Sequence, residues 1–276
     1  PRANSNNLER QAAFAGNAIA LGGDVTSLRS LIGNEAGSIG TATVSGNGST
    51  WDTTGDLLIG KAGTGTLIVT GGGVVSADEI KIARQAGSTG TFIIGAALGQ
   101  TAGGSASFDV NEIDFGDGTG KLVFNFGGDD VSFDARIEGS GEIAVANGTV
   151  IYAGNGSAFT GDTDITGGTL NLVNATLGGT LSVSGWGTLS GTGTVGETTV
   201  SSGATVTPGG SGVVVGVVAV DHIALVAIAA FDKARVLRDH QPDARMAQGP
   251  FAAVAGDFPF GDRDGFRRVA GHRWLP

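Results

Sequence analysis

Gly40-Thr41-Ala42-Thr43-Val44, Gly65-Thr66-Leu67-Ile68-Val69 and Gly90-Thr91-Phe92-Ile93-Ile94 are three copies of one short phrase, recurring at a constant 25-residue interval. Gly46 and Gly48 recur at Gly71 and Gly73 with the same spacing. Between the copies, Asp56-Leu57-Leu58-Ile59-Gly60 matches Glu79-Ile80-Lys81-Ile82-Ala83 at an offset of 23, and a loop two residues longer after the second match restores the period. Strands that keep register while turns absorb length are the mark of a stacked repeat. The segments are short, rich in β-branched residues and bounded by glycine, which reads as strand. Glycine every few residues argues against helix at about 1 kcal/mol each.

Alternate residues of a strand share a face. Ala42, Leu67 and Phe92 therefore form one inward column, and Val44, Val69 and Ile94 a second. Like residues stacked one above another are what a parallel β-solenoid needs, since each coil buries its apolar face only against its neighbours. After Gly99 the period loosens but the grammar persists, through Lys121-Leu122-Val123-Phe124-Asn125-Phe126, Glu142-Ile143-Ala144-Val145, Thr149-Val150-Ile151-Tyr152, Thr169-Leu170-Asn171-Leu172 and Thr180-Leu181-Ser182-Val183. Eight or so coils between residues 37 and 207 predict a rod on the order of 40 Å long, at about 4.8 Å per coil.

Composition bounds the rest. Of 276 residues 51 are glycine, cysteine is absent, and the formal net charge is −10. Disulfide frameworks, thiolate metal sites and cysteine nucleophiles are excluded, and the acidic balance argues against nucleic acid as the main partner. The three histidines, His222, His240 and His272, all lie in the last quarter. Composition changes near Gly212: residues 1–212 hold 45 of the glycines, whereas residues 213–276 contain no Ser, Thr, Asn or Glu and four of the six prolines. Three regions follow: a cap or partial coil over 1–34, in which residues 8–20 read as a short helix, the repeats over 35–212, and an atypical tail over 213–276. Frameshift or truncation explains the tail and predicts that it is poorly ordered. Its mostly apolar residues 213–231 are near membrane-spanning length, but Asp221 offsets roughly −5 kcal/mol of insertion energy by about +3. That leaves a weak membrane anchor as the competing explanation.

The stretch Phe159-Thr160-Gly161-Asp162-Thr163-Asp164-Ile165-Thr166-Gly167-Gly168-Thr169-Leu170 resembles the autotransporter-associated β-strand repeat. So do Gly187-Thr188-Leu189-Ser190-Gly191-Thr192-Gly193-Thr194-Val195 and Ser202-Gly203-Ala204-Thr205-Val206-Thr207-Pro208-Gly209. The earlier Gly46-Asn47-Gly48-Ser49-Thr50-Trp51 and Ala86-Gly87-Ser88-Thr89-Gly90-Thr91 are similar to a second repeat of type V secretion passengers. The resemblance covers about residues 35–210. It implies an all-β, right-handed parallel β-helix passenger, displayed at the bacterial outer membrane or secreted, whose partners are its own C-terminal β-barrel translocator and host-surface or glycan ligands. No barrel pattern of alternating ten-residue strands occurs in residues 213–276.

Several motifs have competing readings. Gly191-Thr192-Gly193-Thr194-Val195-Gly196 satisfies a dinucleotide fingerprint, but strand rather than helix follows, so a solenoid turn is expected. Gly55 to Gly60-Lys61 mimics a phosphate-binding loop, with Ala62 where Ser or Thr must stand. The acidic group Asp114, Asp117, Asp129, Asp130 and Asp134, with Lys121 and Arg136 nearby, has three readings. It is a carboxylate site of a polysaccharide-active enzyme, an ion site, or a set of solvated turns. The calcium-roll nonapeptide is not repeated. Trp51 and Trp186 read as capping or packing between coils or, alternatively, as surface binding aromatics. No catalytic residue, cofactor or metal is expected. A non-catalytic structural or adhesive rod is the leading expectation, with the polysaccharide-active enzyme and a non-functional fragment as the alternatives.

Overall fold

The computed structural model describes residues 23–209 with their side chains, and the strands Gln11–Phe14, Gly16–Leu21, Val217–Val220 and Arg235–Arg238 by backbone pairing alone. The described chain is all-β, without a helix, and every strand pairing is parallel. It is a parallel β-helix. Sheet I, of eight strands, runs through Thr50–Ile59, Val74–Ile82, Ser107–Phe115 and Arg136–Gly139. Sheet II, of 13 strands, runs through Ile39–Ser45, Thr64–Thr70, Thr89–Gly95, Thr119–Gly127 and onward. A third sheet of five strands opens at Val131–Phe133, so later coils close on three sides.

The inward columns continue past the region where the 25-residue period is visible. Ala42, Leu67, Phe92, Leu122, Ile143, Thr163, Leu181 and Thr198 stack in register. Val44, Val69, Ile94, Phe124, Val145, Ile165, Val183 and Val200 form the companion column, and all sixteen are buried. Sheet I adds Leu57, Ile80, Ile113 and Ile137, at the 23-residue offset for the first pair. The result is one continuous core. At its widest coils it is filled by aromatics, with Phe108 centred 5.4 Å from Phe92 and 5.0 Å from Phe133, and Phe133 4.8 Å from Tyr152.

Coil length accounts for the lost period. Thr64 pairs with Thr89 at the regular interval, but Thr89 pairs with Thr119, a longer step. There, the connection 71–73 has become 96–106 while the turn 83–88 has shortened to 116–118. Coils then contract, each step in sequence being shorter than the one before as Lys121 pairs with Glu142, Glu142 with Asp162, Asp162 with Thr180 and Thr180 with Glu197. The long loop is pinned by Asn125, whose buried side-chain amide donates to the Ala97 and Gln100 carbonyls at 2.9 and 3.1 Å. The Asn147 amide donates in turn to Asn125 Oδ1 at 2.8 Å.

One column explains much of the glycine. Gly16, Gly40, Gly65, Gly90 and Gly120 pair successively where sheet II begins. Gly141, Gly161, Gly179 and Gly196 hold the same place, directly before the paired residues Glu142, Asp162, Thr180 and Glu197. Backbone crowds this corner. A Cβ would meet Ile59 O at 2.2 Å from Gly90 and Gly141 O at 1.9 Å from Gly161. Glycine is required there by close approach, since Gly90 and Gly161 have no positive φ.

Within residues 8–20, the described residues 11–14 and 16–20 are strand, not helix. Gln11–Phe14 pairs with Arg29–Ile32, and Gly16–Leu21 pairs with Ile39–Ser45, both parallel. Alanine-rich helix propensity is worth only tenths of a kcal/mol per residue, and a coil that offers a full backbone ladder overrides it. The tail lies outside the described residues, apart from two strands. Val217–Val220 and Arg235–Arg238 continue sheet II by parallel pairing. Residues 221–231, including Asp221 and His222, lie outside the described residues. Among those described, no helix is long and apolar enough to cross a membrane.

Candidate functional site

The five predicted acids are divided among three places on the rod. Asp114 projects from strand Ser107–Phe115 of sheet I, and Asp117 lies in the turn that follows it. Asp129 and Asp130 are exposed in the turn between sheet II and the third sheet, and Asp134 is exposed in the next turn, before Arg136–Gly139. Lys121 and Arg136 also part, Lys121 pairing with Glu142 on sheet II at 2.6 Å while Arg136 stands on sheet I. Among the described residues, no group of three or more His, Asp or Glu is arranged to hold a metal ion.

What the fold does assemble is a charge ladder on the outer face of sheet I. One column runs through Asp56, Glu79, Glu112 and Arg136, and its neighbour through Leu58, Lys81, Asp114 and Glu138. Lys81 donates to Glu79 and, at 3.2 Å, to Asp56. Burial works against the Lys81 ammonium, but these two bonds outweigh it and hold the pKa above the ordinary lysine value. Arg136 bridges Glu112 at 2.6 Å and Glu138 at 2.9 Å. A hydrogen bond with Glu112, aided by burial and by the Glu112 charge, raises the Glu138 carboxyl pKa despite the opposing guanidinium. The matched pair Asp56 and Glu79, with outward alternation, was the signal in the sequence for this face.

Beside the ladder, where sheet I turns toward sheet II, lies an open groove of about 480 Å³. Arg29, Lys61 and Arg84 converge on it with Gln85, Ala86 and Asp117, above the buried Leu58. Recurring turn chemistry sets these side chains out in order. Ser38 donates to the Glu35 carbonyl and Ser88 to the Gln85 carbonyl, both at 2.7 Å. Since Ile32, Ile59, Ile82 and Phe115 are in register, the residues two places on, Asn34, Lys61, Arg84 and Asp117, form successive rungs of one turn.

The remaining motifs resolve as follows. Residues 191–196 run from the end of strand Thr188–Gly191 through the two-residue turn 192–193 into strand Thr194–Val200, and Gly55 to Lys61 spans a strand end and turn of sheet I. Trp51 is buried and its indole N–H donates to Ser30 Oγ at 3.1 Å. Trp186, by contrast, is 85% exposed, so it does not pack between coils. No family model, curated protein or solved structure matches the chain.

Proposed function

We propose that this chain is part of an autotransporter passenger, a non-catalytic structural or adhesive rod displayed at the bacterial cell surface. The observation that supports it is the continuous coil-on-coil parallel pairing from Ile39–Ser45 to Thr194–Val200, in which each coil is completed by the next. Stability in such a stack is a sum over neighbouring coils, so a chain emerging from a membrane folds coil by coil on the part already formed. Its partners on this reading are a β-barrel translocator and host-surface or glycan ligands.

An epitope inserted beside Leu98, in the exposed part of loop 96–106, tests display. Antibody labelling of intact bacteria is the expected outcome. Labelling only after both membranes are permeabilised refutes the proposal.

A further inference from the structure

Three cations from successive coils meet in one groove of an acidic protein. Arg29, Lys61 and Arg84 face a shared space with a single carboxylate, Asp117, at one end. Elsewhere the described cations hold carboxylates at closer range. Arg136 holds two carboxylates at 2.6 and 2.9 Å, Lys121 holds Glu142 at 2.6 Å, and Lys81 lies between Glu79 and Asp56. In the groove the pairs are loose. Asp56 stands 3.9 Å from Arg29 and is already engaged by Lys81, and Asp114 stands 3.6 Å from Arg84. Lys61 donates at 3.1 Å to the neutral Asn34 side chain, and among the described residues no carboxylate pairs with it. Charge-assisted N–H···O bonds close to about 2.7–2.9 Å, so all three cations retain donors for an incoming anion.

The spacing and lining indicate what kind of anion. Lys61 and Arg84 are consecutive rungs, about 4.8 Å apart along the rod, so an extended chain bearing repeated negative groups meets them in turn. The exposed Ala86 methyl offers apolar contact for a sugar C–H, the exposed Gln85 amide suits hydroxyls, and the guanidinium forks fit carboxylates bidentately. The groove has no aromatic platform on which a nucleic-acid base could stack. We propose that this groove binds a linear, carboxylate-bearing polysaccharide, gripped by Arg29, Lys61 and Arg84. The proposal gives the adhesive reading above its ligand class and rests on that reading for its biological setting, while the site itself is tested on the purified 276-residue chain.

Titration calorimetry with oligomers of polygalacturonate and of hyaluronate, against neutral dextran and single-stranded DNA, decides it. At least one uronate oligomer is expected to bind, more weakly as salt rises, with no binding of dextran. Lys61→Gln and Arg84→Gln are each expected to weaken binding about tenfold, with Arg84→Lys between wild type and Arg84→Gln. Lys121→Gln, on sheet II, leaves binding unchanged. Circular dichroism melts establish that each variant is folded, and the comparison of uronate with dextran on the wild-type chain stands even if one is not. Absence of uronate binding by the folded chain, equal weakening by Lys121→Gln, or tighter binding of DNA overturns the proposal. Failure here with surface labelling intact removes the site alone, and binding by a chain that is never displayed removes the surface role alone.

Discussion

Replacing Gly161 by alanine tests whether the glycine column sets the distance between coils. The new Cβ would stand 1.9 Å from the Gly141 carbonyl oxygen, where real Cβ contacts do not fall below 3.0 Å, so backbone must move by about 1.1 Å. That backbone is held on every side. Asp162 N–H donates to Gly141 O at 3.0 Å, Thr160 N–H to Gly139 O at 2.8 Å, and Thr180 N–H to Gly161 O at 3.0 Å. A shift of this size breaks the Asp162 and Thr180 bonds, at about 1 kcal/mol each. Overpacking adds about 1–3 kcal/mol. The expected loss is therefore about 3–5 kcal/mol. Gly127 is the control, because its Cβ would meet nothing within 4 Å and its φ is not positive, so Gly127→Ala changes stability by less than about 0.5 kcal/mol. Native-state amide exchange reads the effect coil by coil. Protection is expected to fall in the coils that carry Gly141, Gly161 and Gly179 and to persist near Leu67 and Phe92, since the stack is coupled only between neighbours. Opening free energies of the two variants within about 1 kcal/mol of each other throughout that region would refute the reasoning.

Three further outcomes follow from single buried or half-buried groups. Thr163 Oγ1 is buried in an apolar column without a hydrogen-bond partner, so Thr163→Val is expected to stabilise by about 1 kcal/mol in urea denaturation. A lowered midpoint would mean that the hydroxyl is satisfied. Asn125→Ala removes the donor to two loop carbonyls and should cost about 2 kcal/mol, with faster amide exchange confined to residues 96–106 and their neighbours. Burial, with the charges of Glu142 and Asp162, raises the Asp164 carboxyl pKa. Because the folded state holds that proton more tightly than the unfolded chain, Asp164 subtracts stability as pH rises from the unfolded value through the folded one. Asp164→Asn is accordingly expected to raise the denaturation midpoint at pH 7 and to match wild type near pH 3, and an unchanged difference at the two pH values would refute the assignment.

The fold was legible where coils are equal. Ala42, Leu67 and Phe92 declare their column because the two steps between them are the same length, and the 23-residue offset of Leu57 and Ile80 is as visible. Beyond Gly99 each coil changes length, so Leu122, Ile143 and Leu181 could be recognised as inward residues of strands without their partners being assigned. Residues 11–21 were illegible for another reason. Their alanine content favours helix locally, and only the adjacent coils, which present unpaired donors and acceptors, make them strands. Trp186 carried no local sign that its turn leaves it in solvent.

The acidic group shows why closeness in sequence misleads in a solenoid. Asp114 and Asp134, like Asp117 and Asp130, are separated by less than one local coil, whose length is marked by the pairings of Thr89 with Thr119 and of Lys121 with Glu142. Residues separated by a fraction of a coil lie on different sides of the rod, and residues separated by one full coil touch. Three ion pairs follow that second rule, Glu112 with Arg136, Asp56 with Lys81, and Lys121 with Glu142, each joining one coil to the next. The groove obeys it too, with Lys61 and Arg84 separated by the same interval that aligns Ile59 with Ile82. A surface site on such a rod is thus encoded as a set of offsets that vary with each turn. Lengthening the turn 60–63 by a single residue changes the position of Lys61 against Arg84 while the buried register of Leu57 on Ile80 stays fixed. Ligand specificity can therefore change on this architecture through its turns, at little cost to the core.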